Sequence, residues 1–72
     1  MPTDHGDALR QVIERLQMRA QYWRDTAQRN RELSSLERQT IIRGAYVFSA
    51  EFYDGIANGI DVDIEWIETL KR

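Results

Sequence analysis

Residues 31–39 read "RELSSLERQ". Whether the chain turns here or runs straight through decides the fold. No glycine or proline occurs between residues 7 and 43, so one uninterrupted rod is a possible reading. Two features favour a turn. Ser34-Ser35-Leu36-Glu37 matches a capping box, in which a serine and the glutamate three residues later satisfy the free amides of a new helix. The apolar pattern that leads up to this stretch also fails in it.

That pattern is Leu9, Ile13, Leu16, Ala20, Trp23 and Ala27, at steps of 4, 3, 4, 3 and 4, with Val12 widening it. Steps of three and four place side chains on one stripe of a helix. The residues between them are mostly strong helix formers. Asp4 or Asp7 serves as N-cap, so helix 1 is expected over about 6–33. The next seam positions are Asn30, Ser34 and Glu37, all polar. A new pattern then starts in a different phase with Ile41, Ala45, Phe48, Phe52 and Ile56. A polar gap between two out-of-phase seams is the mark of a helical hairpin.

Helix 2 is expected over about 35–58. Beside its first seam runs a second stripe, Ile42, Tyr46, Ser49, Tyr53 and Ile60. The two stripes lie about 100° apart, since successive helical residues turn by that angle. One partner helix cannot cover both. Either stripe could face helix 1, and the second is assigned here to dimerisation into a four-helix arrangement.

Gly59 reads as a C-cap that ends helix 2. Beyond it, Ile60, Val62, Ile64 and Trp66 alternate with Asp61, Asp63 and Glu65, which is the period of a strand. Asp63 can instead cap a helix stapled by Val62 against Ile67, with Lys71 and Arg72 at its negative end. A lone strand would have no partner in a helical chain, so a short third helix over about 63–71 is preferred. The expected fold is therefore all-α: one 1–72 domain, an antiparallel hairpin plus a short C-terminal helix, with 1–5 as a polar tail.

Composition narrows the function. The 72 residues include no cysteine and carry a net charge of −2. A chain this short builds a marginal core, which disulfides, metals or oligomerisation usually supplement. Without cysteine there is no disulfide or thiolate metal site. The single histidine, His5, lies near the N-terminus. No apolar run approaches 18 residues, and "MPTDHGD" lacks the basic and apolar regions of a secretory signal. A cytoplasmic location and no membrane association are expected.

Catalytic constellations are absent from the pattern. Ser34, Ser35 and Ser49 have no base assigned to them, and there is no glycine-rich phosphate loop. Asp61, Asp63 and Glu65 resemble the start of a calcium loop, but position 66 would need glycine and position 72 glutamate. They are Trp66 and Arg72. No enzyme activity, cofactor or metal is expected.

Association is what remains. Arg15 and Arg19 flank Met18 and Tyr22 on the side of helix 1 away from its seam, an apolar-plus-arginine spot typical of interface anchors. The tyrosine-rich stripe with Ile42, Tyr46 and Tyr53, and the acidic tail with Asp61, Asp63, Glu65 and Trp66, are the other candidate contact surfaces. The expected function is a non-catalytic helical interaction protein that binds a larger protein or nucleoprotein complex. Its economy is that of small phage or mobile-element inhibitors, anti-CRISPR proteins among them. Two alternatives stand. The nine arginines, six of them at Arg10, Arg15, Arg19, Arg24, Arg29 and Arg31, could serve a nucleic-acid-associated regulator. A structural dimer or assembly subunit is the other. The arginines and the six acids between Glu51 and Glu68 also suit each other as complementary surfaces.

Overall fold

The computed structural model describes residues 5–70. It is a hairpin of two long helices, α1 (His5–Leu36) and α2 (Thr40–Leu70), packed along their length. The Cα atoms fill an envelope of 59 × 19 × 10 Å. Two helices side by side make the molecule a single layer.

The seam repeats every seven residues on both helices. On α1 it follows Leu9, Ile13, Leu16, Ala20, Trp23, Ala27, Asn30 and Ser34, and none of the eight is exposed. On α2 it follows Tyr46, Ala50, Tyr53, Ala57, Ile60, Ile64 and Ile67, again with none exposed. This is the 3-4 spacing of a coiled-coil seam. The most buried positions are Ile13, Ala20, Ala27, Ala50, Ala57, Ile64 and Ser34. Four of these seven are alanines, which let two backbones approach closely. The core is correspondingly thin, and no large side chain among the described residues is fully buried.

The expected hairpin is present, but its turn comes later than expected. Residues 37–39 link the helices, so Ser34 lies inside α1 rather than capping α2. The Ser34 hydroxyl donates to the Arg43 carbonyl at 3.1 Å, which makes a polar seam position tolerable. Glu37 does the capping: its Oε1 accepts from the backbone N–H of Arg38 at 3.0 Å and of Gln39 at 3.1 Å. Arg43 reaches back to the carbonyls of Glu37 at 3.2 Å and Arg38 at 3.3 Å. A cation therefore satisfies carbonyls beyond the C-terminal end of α1, where the helix dipole also favours it.

The C-terminal segment corrects the expectation. There is no separate third helix over 63–71, and helix 2 does not end at residue 58: residues 63–70 belong to one continuous α2. Residue 71 lies outside the described residues, as do Asp4, Lys71 and Arg72. Gly59 is no C-cap, because no glycine has positive φ. Val62 is exposed and cannot staple Ile67, which is half-buried in the seam. Glycine costs a helix about 1 kcal/mol relative to alanine. That cost is offset because Ala57, Ile60 and Ile64, on both sides of Gly59, are held against α1. His5, assigned to the tail, is the first residue of α1.

Two substitutions test helix propensity and the close seam. A Cβ added at Gly44 meets nothing within 4 Å, so Gly44→Ala is expected to stabilise the fold by about 0.5–1 kcal/mol. Ala57→Leu is expected to destabilise it by about 1–3 kcal/mol through overpacking. Urea unfolding at one fixed protein concentration reads both. A neutral Ala57→Leu would mean that the helices are further apart than the alanine seam requires.

Candidate interaction surface

The seam divides α2 into two unlike sides. Opposite α1 runs Ile41, Ala45, Phe48, Phe52, Gly55, Gly59, Val62, Trp66 and Thr69, spaced 4, 3, 4, 3, 4, 3, 4 and 3. Every one of the nine is exposed, Ile41 at 88% and Phe48 at 71%. No charge interrupts the line. It has the periodicity of a second coiled-coil seam with nothing packed on it. Of the thirteen exposed large apolar residues, eight are on α2, so the unsatisfied surface is concentrated on this helix. Two shallow grooves lie on the line, one bounded by Phe48, Ser49, Phe52 and Tyr53, the other by Val62, Glu65, Trp66 and Thr69.

This assignment reverses the sequence expectation. Tyr46, Ser49, Tyr53 and Ile60, expected to mediate dimerisation, are half-buried on the side of α2 that packs on α1. The Tyr53 ring stacks on Trp23 with centroids 5.3 Å apart and planes 17° from parallel. Ile42 is only just exposed, at 38%. The stacked rings of Tyr53 and Trp23 fill the seam between its alanine positions. The other stripe, Ile41 to Phe52, is left outside.

Charges frame the hairpin along one edge. Arg24 pairs with Asp61 and Arg31 with Asp54. Both pairs step by seven residues, in opposite directions on the two helices, so they share one antiparallel register. Their side chains keep 34–46% exposure. Partial exposure limits such a pair to under about 1 kcal/mol, so these pairs select the register more than they stabilise. The arginine-rich helix thus lies beside the acidic segment of α2. Asp7 and Arg10 form a further pair within α1 at 3.0 Å.

The remaining candidate residues scatter. Arg15, Met18, Arg19 and Tyr22 are exposed on α1, where Tyr22 meets Trp23 edge-on at 5.0 Å. Asp61 is tied to Arg24. Asp63 and Glu65 are exposed and, two residues apart on a helix, point to different sides. Trp66 lies on the open line of α2. The carboxylates therefore do not converge. Among the described residues, no group of three or more histidines or acids could hold a metal, and no helix is long and apolar enough to cross a membrane.

Gly55, Gly59 and Val62 were missed by the sequence reading, which ended helix 2 too early to see the line continue. The signal was there: Val62, Trp66 and Thr69 keep the step of Ile41, Ala45, Phe48 and Phe52 through both glycines. No family model, curated protein or solved structure matches the chain.

The stack and the ion pair can be ranked. Tyr53→Ala is expected to cost about 1–3 kcal/mol, through lost area and ring contact. Arg24→Gln is expected to cost less than about 1 kcal/mol. Thermal or urea unfolding compares them, with near-ultraviolet circular dichroism reporting Trp23. The reverse order would mean that charge pairing, and not the aromatic contact, holds the middle of the hairpin.

Proposed function

We propose that this chain is a non-catalytic association module that docks another polypeptide on the open line of α2. The observation that carries the reading is the nine-residue uncharged line itself. An exposed apolar surface of this length and periodicity is unfavourable in water unless something covers it. An α-helix, or a surface that accepts one, is the complementary shape. A small inhibitor that occupies a larger complex, of the phage or mobile-element kind, would work through such a surface without chemistry. So would an assembly subunit. A cytoplasmic setting suits either.

The arginines favour a structural role over nucleic-acid binding. Arg24 and Arg31 are paired to acids of α2, which leaves Arg15, Arg19 and Arg29 on the outer side of α1. Three cations on a chain of net charge −2 make a weaker case for phosphate binding than the uncharged line of α2 makes for a polypeptide.

The test is site-specific photo-cross-linking. A benzophenone amino acid replaces Phe52 on the open line, or Gln11 on the outer side of α1. Irradiation is expected to join position 52, and not position 11, to a polypeptide. Equal labelling at both positions, or none at 52, removes α2 as the docking surface.

A further inference from the structure

We infer that the polypeptide covering α2 is a second copy of this chain, lying antiparallel about a two-fold axis at Ala57. The inference rests on the reading of α2 as a docking surface and names its occupant. Eight of the nine residues of the open line, all but Ile41, pair symmetrically about residue 57. Gly55 and Gly59 stand two residues either side, Phe52 and Val62 five, Phe48 and Trp66 nine, and Ala45 and Thr69 twelve. Size follows the same symmetry: small, large, large, small. In an antiparallel pair, each residue before 57 is level with the one equally far beyond it on the other copy. Glycine then meets glycine at the centre, Phe52 meets the second copy's Val62, and Phe48 meets its Trp66. A self-complementary patch is what a two-fold dimer requires. The two grooves lie on either side of the same centre.

The glycines supply a separate argument. A Cβ at Gly55 or Gly59 meets nothing within 4 Å, and neither glycine has positive φ. The hairpin therefore makes no use of them and loses helix stability by carrying them. A glycine pair four residues apart is useful where a second helix crosses closely.

Area points the same way. The chain exposes 5900 Å². A compact monomer of its 8.5 kDa would expose about 4,700 Å². The excess, about 1,200 Å² spread over the whole elongated chain, leaves room for the roughly 800 Å² that each partner gives to a stable interface. The flanks differ. On one side Ile56 lies beside the second copy's Ile56. On the other, Glu51 falls near the second copy's Glu65, a like-charge pair present twice by symmetry.

That repulsion gives the dimer a signature that no other occupant shares. Sedimentation and light scattering over a concentration range are expected to show twice the chain mass. Glu51→Lys is expected to tighten the dimer roughly tenfold at low salt, by turning both repulsions into attractions. Glu51→Lys/Glu65→Lys should return it towards the native value. Gly59→Leu should weaken it by about 100-fold or more by wedging the helices apart. Helical content should hold or rise in that variant, since leucine is the better helix former, which separates lost association from lost folding. A monomer at every concentration, a dimer indifferent to Gly59→Leu, or a dimer weakened by Glu51→Lys overturns the inference. If the chain is a monomer and position 52 still cross-links to a different polypeptide, the occupant is wrong and the docking surface stands. A monomer without a cross-link removes both.

Discussion

The close approach of two helices over small residues is the constraint on which this structure depends. Ala20 and Ala27 on α1, and Ala50 and Ala57 on α2, sit at every seventh position and are buried. Small side chains bring the backbones together and improve packing along the seam. They also contribute little apolar area each, because burial stabilises in proportion to area. The larger seam residues, Leu16, Trp23, Tyr53 and Ile60, are only half-buried, since a single layer leaves each of them one side open. The hairpin is thus well specified in register and thin in core.

Several local features follow from that thinness. The turn is held by hydrogen bonds more than by packing, with Glu37 capping from one side and Arg43 bracing from the other. Polar residues Asn30 and Ser34 occupy the seam next to the turn. Each keeps a hydrogen bond, Asn30 to the Thr26 carbonyl at 2.8 Å and Ser34 to that of Arg43. Partnered polar groups cost little there. The ion pairs along the edge penalise a slipped register, which alanines alone would tolerate.

Thinness also explains why the outer side of α2 is open. A second layer is missing, and the apolar residues that would meet it are present on one helix in regular order. Phe48, Phe52, Val62 and Trp66 cannot fold back onto the hairpin, because their side of α2 points away from α1. Association is the route proposed for removing this surface from water.

The two-helix character was legible from periodicity. The α1 seam from Leu9 to Ala27 is the observed one, since apolar residues at steps of three and four share one stripe of a helix. The polar gap announced a turn, although Ser34 and Glu37 were given the wrong capping roles: a serine near a turn can cap or face inward, and only the partner carbonyl decides. Trp66 lies on the open surface, whereas Tyr46 and Tyr53 are turned inward. Which of two adjacent apolar stripes faces a partner depends on the partner's shape, and stripe hydrophobicity does not encode it. The glycines misled because local propensity marks them as helix ends, while packing of Ala57 and Ile64 on α1 carries the helix through them. The sequence by itself determined two amphipathic helices, a turn in the thirties and a surplus of apolar surface. Tertiary structure alone decided the inner and outer sides of α2 and its unbroken length, because both are set by contacts between helices rather than by preferences within one.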